Sequence, residues 1–440
     1  MSAARSDGAP DTSGGAELPA CPAGSPASRG AGVRRVWHNQ RMDDDLLPPP
    51  LPEVPPQYRT DVRVALQATA RRFATERVLP VANELDPQKG EIPRSLLTEM
   101  GELGFFGITV GTEYGGLGLG AYEYCMVAEE LARAWMSVGS IIARAQGAGT
   151  GVGDAQRRAE LLARSARGEW IGAIALSEPD AGSDLAAVST RAERDGDDFV
   201  LTGRKRWIGN AKAADFIQVL VRTADPEPGE KRSAGLATLL VEKEPGTFPD
   251  GLTGSPIDKI GYHGFVTWDL EFDGLRVPAA NEITAGGFAH TQRWLTIARV
   301  HTAARAVGLA RAAVEDCIDY LQQRRQFERP IGDFQAVRFT LARMAARVEQ
   351  ARAFYQHVAH LIDLGEPCGR EAAMVKLLAT EMAAEVTGDG IQLHGGNGYT
   401  TEHQVERHWR DARLTTIFEG TSEIQAKMIA DRLLPRSEIG

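Results

Sequence analysis

The stretch Val266-Thr-Trp-Asp-Leu-Glu-Phe-Asp273 decides the class of fold. Val266, Trp268, Leu270 and Phe272 alternate with Thr267, Asp269, Glu271 and Asp273. A period of two belongs to a half-buried antiparallel strand, because successive side chains point to opposite faces. Residues 199–201, 216–221 and 237–241 read as further strands between turns rich in Asp, Gly and Pro. On either side the period becomes helical. Val62, Leu66, Ala70 and Phe73 form one stripe, and Met126, Glu130, Leu131, Met136 and Val138 a less regular one. The glycine-rich run 111–120, with Tyr114 inside it, reads as a loop between helices. The strongest stripes come last: Val300, Ala304, Val307, Arg311, Val314, Ile318 and Leu321, then Val337, Leu341, Met344, Val348, Ala351, Tyr355, Val358 and Ile362. Sustained seams of this kind pack as antiparallel bundle helices, and part of such a seam can lie at a subunit contact. The expected fold is α+β and mostly helical: an N-terminal helical domain over 57–170, a middle antiparallel β domain over 171–286 and a helical bundle over 287–440.

Composition narrows the function. The chain has 440 residues, 43% of them hydrophobic and 25% charged, as in globular proteins. Lys plus Arg is 49 and Asp plus Glu is 59, a net charge of −10. That balance disfavours a nucleic-acid binder, whose affinity rests on neutralising phosphates. No apolar run is long enough to span a membrane. The cysteines (Cys21, Cys125, Cys317 and Cys368) are far apart with no CxxC, so neither a disulfide framework nor a metal site is expected. A reducing cytoplasm is the matching compartment. Residues 1–56, rich in Gly, Ala, Ser and Pro, read as a disordered extension and linker. They carry no continuous apolar stretch of a secretory signal, and Asp7, Asp11 and Glu17 are unlike a transit peptide. Val36-Trp37-His38 is the segment that would dock if any did.

Four stretches are odd for their surroundings. Ala175-Leu-Ser-Glu-Pro-Asp-Ala-Gly-Ser-Asp184 places small residues and two hydroxyls where helix gives way to sheet. Such junctions favour pockets, although a polar turn would read the same way. Arg204-Lys-Arg-Trp-Ile-Gly-Asn210 sets a Trp beside glycine at a strand end, where it would stack on a flat ring or simply fill the core. Gln392-Leu-His-Gly-Gly-Asn-Gly-Tyr399 would admit a pyrophosphate or merely stop a helix. In Ile417-Phe-Glu-Gly-Thr-Ser-Glu-Ile424, Thr421 or Ser422 would cap a helix carrying Ile424, Met428 and Ile429. Desolvation raises the pKa of Glu419 and the following helix N-terminus lowers it, a tension that suits a general base; an exposed loop Glu is the plainer reading.

Together and in this order, the four stretches resemble the acyl-CoA dehydrogenase family of FAD flavoproteins, over about residues 58–434. A fifth segment, Arg324-Arg-Gln-Phe-Glu-Arg-Pro-Ile331 with Phe334 and Gln335, matches that family too. The resemblance implies an α domain, a β domain and a C-terminal four-helix bundle. It implies that Ile174, Leu176, Ser177, Gly182 and Ser183, with Trp207, Ile208 and Gly209, hold the flavin. Arg324, Arg325, Gln326, Phe327, Phe334 and Gln335, with Gln392, Leu393, His394, Gly395 and Gly396, would hold the ADP part of FAD across a subunit contact. Thr421, Ser422 and Glu423 would make the last flavin contact. Ser183, Arg299 and Gly420 would touch substrate, and Glu419 would be the catalytic base.

The implied reaction is α,β-dehydrogenation of an acyl-CoA. The enolate oxygen would be stabilised by the Glu419 N–H and a flavin hydroxyl, and an enclosed pocket would raise the pKa of the base. The implied partners are an electron-transfer flavoprotein and further copies of the chain, as a dimer of dimers; no metal is implied. Some members carry the base one residue before the arginine at 299, and Ala298 there cannot act. Departures from the family are Ser177 and Gly209 in place of Thr, Ile174 in place of an aromatic, Thr296 in place of an Asp and Glu328 in place of Gly. The run Ala298-Arg-Val-His-Thr-Ala-Ala-Arg-Ala-Val-Gly308 is similar to members acting on short or branched dicarboxylyl thioesters such as methylsuccinyl-CoA. Arg144 would meet the second carboxylate, unless it is a surface arginine. The rival classes are an acyl-CoA oxidase or flavin oxygenase using O₂, and a non-catalytic DNA-binding relative.

Overall fold

The computed structural model describes residues 53–146, 151–283 and 287–434, with the side chains of 287–294 left out. The tail expected over 1–56 lies outside them apart from its last four residues. The first helical block holds α1 (Asp61–Phe73), α2 (Leu79–Leu85), α3 (Arg94–Glu102), α4 (Ala121–Ala134), α5 (Met136–Ile141) and α6 (Ala155–Ala166). α1 starts where the Thr60 hydroxyl accepts the Arg63 N–H, and it buries Leu66, Ala70 and Phe73. Val62, in its first turn, stays exposed. The less regular second stripe has a physical cause: Trp135 is extended (φ −158°, ψ 114°) and divides α4 from α5. Its indole N–H reaches the buried carboxylate of Asp86 at 3.2 Å.

The sheet contains β1 (Gly172–Ala175), β2 (Arg191–Asp195), β3 (Asp198–Gly209), β4 (Phe216–Arg222), β5 (Leu236–Glu242), β6 (Leu252–Pro256) and β7 (Thr267–Pro278). Its order is β1-β4-β2-β3-β7-β6, with β5 on the other side of β4. Antiparallel pairs dominate, and the alternation that began at Val266 becomes β7 against β3. β1 runs parallel to β4, and β2 meets β4 in parallel at Arg191–Arg222. These long-range pairings leave no local mark in the sequence. Two bulges interrupt the β3–β7 ladder, one of them between Lys205 and Ile208.

The C-terminal block comprises α7 (Gly287–Gln323), the hairpin β8 (Arg325–Gln326) and β9 (Arg329–Pro330), α8 (Gln335–Asp363), α9 (Gly369–His394), α10 (Val405–Thr415) and α11 (Ser422–Leu433). α7 lies against α4, α8, α9 and α10. Gly308 lets it approach α4 closely, since a Cβ there would stand 2.4 Å from the Glu129 carbonyl oxygen. The same contact buries a charge network. Arg311 of α7 donates to Glu129 at 2.8 Å and Glu130 at 2.6 Å, and pairs with Glu315. Arg352 of α8 and the Tyr355 hydroxyl also reach Glu129. Burial pushes the Glu130 pKa up, but Arg311 and Arg71 outweigh it and bring it down to about 2.

Removing one partner of such a network strands the others in a low dielectric. Arg311→Met is therefore expected to destabilise the protein by about 3–5 kcal/mol, measured by urea unfolding. Arg311→Met combined with Glu129→Gln and Glu130→Gln should recover most of the loss.

Candidate active site

Glu419 lies in the turn between α10 and α11 at φ +54°, followed by Gly420 at φ +92°. A non-glycine residue there costs on the order of 1–3 kcal/mol and persists only where its surroundings hold it. Here the Gly420 carbonyl accepts from Lys376 of α9 at 2.7 Å and from the Gln425 side-chain amide at 3.0 Å. Thr421 caps α11, accepting the Ile424 N–H at 3.3 Å.

The Glu419 side chain turns inward onto α7 and keeps 26% exposure. Arg305 donates to its Oε2 at 2.8 Å, and the Thr302 hydroxyl donates to the same oxygen. Burial pushes the carboxyl up, but Arg305, the Thr302 hydroxyl and Arg144 together hold it below the usual carboxylate range. The desolvation that the sequence leads one to expect is present, but in the chain alone it is outweighed. The sequence places apolar neighbours beside Glu419, and the fold adds guanidinium groups from other elements.

Around this pair, Arg305 also donates to the Ser140 hydroxyl at 2.7 Å. Its guanidinium sits 5.0 Å from the Phe418 ring centre. Tyr124 of α4 stacks on His301 of α7, ring centres 4.4 Å apart. Arg144 ends a short 3₁₀ turn after α5, rather than lying on an apolar helix. It is half-buried, its guanidinium is 5.4 Å from the Phe265 ring, and its buried Nε has no hydrogen-bond partner among the described residues. It is thus not a solvated surface arginine. Arg299 is buried on α7, where burial and the nearby Arg432 lower its pKa. Arg305, Thr302, Ser140 and Tyr124 were not singled out from the sequence. The available signal was a charged residue inside a run of Ala, Val and Gly.

The expected flavin segments meet at the sheet. The Arg206 N–H donates to the Ser177 carbonyl at 2.8 Å. Buried Glu178 accepts from Lys205 at 2.8 Å and from the N–H and hydroxyl groups of Ser189 and Thr190. Burial raises the Glu178 pKa, but these donors bring it down to about 2. The bulge before Ile208 puts Trp207 at φ +68° and turns its ring outward, 55% exposed. Gly209 has no room for the usual Thr, because a Cβ would fall 2.1 Å from the Phe265 ring. Ile174, Leu176 and Ser177 are half-buried, while Gly182 and Ser183 are exposed.

A second group lies farther along α7. Arg324, Arg325, Gln326, Phe327 and Gln335 are exposed, and Phe334 is half-buried. Phe327 (φ +51°) and Glu328 (φ +66°) form the hairpin turn, which explains why glycine suits position 328. Gln392, Gly395 and Gly396 are exposed beside it and Leu393 is half-buried. The Tyr320 hydroxyl donates to the His394 carbonyl at 3.2 Å. Ile208 and His394 have buried side chains, the latter stacked on Tyr320, so they can offer a cofactor only backbone. The first group gathers at the sheet and the second at the C-terminal end of α7.

A mixed sheet between two helical blocks, with a carboxylate held on α7, is the arrangement that the sequence resemblance to the acyl-CoA dehydrogenases implies. The comparisons agree. Profiles described as the N-terminal, middle and C-terminal domains of acyl-CoA dehydrogenase match residues 60–169, 173–275 and 285–434. (2S)-methylsuccinyl-CoA dehydrogenase of Cereibacter sphaeroides is 40% identical over 83% of this chain and 68% of its own. A glutaryl-CoA dehydrogenase from Mycobacterium smegmatis, solved with FADH2, superposes with a TM-score of 0.79 at 28% identity, over 87% of this chain and 97% of that one. A chain from work on the electron transferring flavoprotein of Acidaminococcus fermentans gives 0.79 at 33% identity, over 86% and 99%. The chain belongs to the acyl-CoA dehydrogenase family, oxidoreductases of CH–CH bonds that carry FAD. The residues present fit that cofactor: Trp207 offers an exposed ring face, and Cβ atoms built at Gly182, Gly395 and Gly396 would meet nothing within 4 Å.

Asp411 of α10 accepts the Tyr262 N–H at 2.5 Å and so fixes the loop beside Phe418. Burial and Asp86 push its carboxyl up to about 7. Between about 4 and that value, the unfolded chain ionises Asp411 and the folded chain does not, so this contribution to stability falls as pH rises. Urea unfolding from pH 4 to 8 should show wild type losing its advantage over Asp411→Asn as pH rises. A pH-independent difference would refute it.

Proposed function

We propose that the protein converts an acyl-CoA thioester to its trans-2-enoyl-CoA, with Glu419 as the base. The observation that carries this reading is the Glu419 side chain turned onto α7, where Arg305 and the Thr302 hydroxyl donate to it and, with Arg144, hold its carboxyl below the usual range. An ionised carboxylate is the form that accepts a proton, here the one on the carbon next to the thioester carbonyl. Bound FAD supplies the acceptor for the hydride that leaves the neighbouring carbon. Thr302 and Arg305 fix the carboxylate, while Lys376 and Gln425 fix the strained turn that carries it. Trp207 and the segment around Ser177 would flank the ring, Thr421, Ser422 and Glu423 would close on it, and Ser183, Arg299 and Gly420 are assigned to the substrate.

The ADP-binding group centres on Tyr320, fifteen residues beyond Arg305 and therefore roughly 22 Å along the same helix. The two groups are proposed to hold one FAD shared between copies of the chain, in a homotetramer. An electron-transfer flavoprotein is the proposed electron acceptor, in keeping with the structural neighbour from Acidaminococcus fermentans. The acyl group is proposed to bear a second carboxylate, received by Arg144. Two relatives are named for methylsuccinyl-CoA and glutaryl-CoA, and the half-buried Arg144 acts electrostatically on Glu419.

Glu419→Gln should lower kcat about 10²–10⁴-fold with flavin content unchanged, followed by flavin bleaching under acyl-CoA. Retained turnover would remove Glu419 as base. Arg144→Ala should impair a dicarboxylyl-CoA at least tenfold more than butyryl-CoA, and equal losses on the two would remove the second carboxylate.

A further inference from the structure

We infer that Arg305 changes partner during the reaction: it holds Glu419 before substrate arrives, then passes to the free carboxylate at the far end of the acyl group, so that the substrate itself releases the base. The inference rests on Glu419 as base and on a carboxylate-bearing acyl group. It goes beyond them in giving Arg305 a positioning role that the substrate switches.

The argument starts from charge. Acting on Glu419 are Arg305 and Thr302 from α7, Arg144 after α5, Lys376 from α9, and the phenols of Tyr124 from α4 and Tyr262 from the loop before β7. Three cations thus face Glu419, and Lys376 among them also feels Glu381 and Glu423, which leaves Arg305 and Arg144 short of anions. His301 does not add a fourth, because burial, Arg305 and Arg144 keep its ring neutral. Buried positive charge without an anion is costly, and one more carboxylate would reduce the excess. Elsewhere on α7 the protein satisfies this rule, since Arg311 meets Glu129, Glu130 and Glu315.

The donors tell the same story. Arg305 Nη2 is shared between Glu419 and the Thr302 hydroxyl, and Nη1 is on the Ser140 hydroxyl. The buried Nε atoms of Arg305 and Arg144, and Nε2 of His301, have no hydrogen-bond partner among the described residues. A guanidinium is a planar fork that binds a carboxylate through two N–H groups, and Arg305 now gives Glu419 only one. A carboxylate arriving between Arg144 and Arg305 offers the stronger, two-point contact. Glu419 then loses the charge that holds it and becomes the better proton acceptor. A thioester with a neutral tail leaves the original pair in place.

The test uses flavin-loaded protein and two unreactive CoA thioethers, one with a butyl tail and one with a tail ending in a carboxylate. Titration calorimetry at pH 5 and at pH 7, each in two buffers of different ionisation heat, reads affinity and proton uptake together. The carboxylate tail is expected to bind at least tenfold more tightly and to draw a proton into the complex at pH 5, where a released Glu419 begins to titrate, but not at pH 7, where it stays ionised; the butyl tail should draw none at either pH. That wild-type comparison stands whether or not a variant folds. In Arg305→Gln the uptake should vanish, kcat for butyryl-CoA should rise several-fold, and kcat/KM for a dicarboxylyl-CoA should fall more than tenfold, with Arg305→Lys in between. Tight binding of the carboxylate tail without proton uptake at pH 5, or equal losses on both substrates in Arg305→Gln, overturns the exchange and leaves the substrate class standing. Absence of any tail preference in wild type overturns the substrate class, and the exchange with it.

Discussion

A guanidinium buried on α7 has to find a carboxylate, and that requirement fixes how the helical blocks meet. Arg311 draws Glu129 and Glu130 of α4 onto the helix, with Gly308 leaving room for the close approach. Arg305, nearly two turns earlier, draws in Glu419 from the turn between α10 and α11. One helix thus organises both the core and the candidate active site through the same interaction. The difference lies in completeness: Arg311 is surrounded by acid, whereas Arg305 shares one carboxylate with Arg144 and Lys376.

Backbone strain marks the same places. Seven non-glycine residues among those described have positive φ. Five of them (Trp207, Asn210, Phe327, Glu328 and Glu419) lie in segments proposed to meet the flavin, its ADP part or the substrate, and Tyr262 packs against Phe418 beside Glu419. Each is held by its setting. A bulge holds Trp207, the Asp411 carboxylate holds Tyr262, and Lys376 holds the turn after Glu419. Strain of this kind persists where surrounding contacts over-determine a local conformation.

Much of the fold could be read directly from periodicity. The alternation over 266–273 became β7, and the two long seams became α7 and α8. The failures were equally local in origin. Val62 continues a stripe yet is exposed among the described residues, at the first turn of α1. β1, β2 and β6 carry too few residues for a period to emerge and are held by partners distant in sequence. For the site, Glu419 and the segments around Ser177 and Trp207 stood out by motif. Arg305 stood out only as a charge among small residues, and nothing in the chain's order said what it would meet.

The sequence by itself determined the long helices, the strand over 266–273 and the three-part order of the chain, and it singled out Glu419 in its Gly-Thr-Ser setting as a candidate. Those properties depend on neighbours a few residues away. Tertiary structure alone decided the protonation tendency of Glu419 and the company it keeps. Electrostatic energy depends on distance through space, and the charges that set it come from positions 144, 305 and 376, far apart along the chain and close together in the fold.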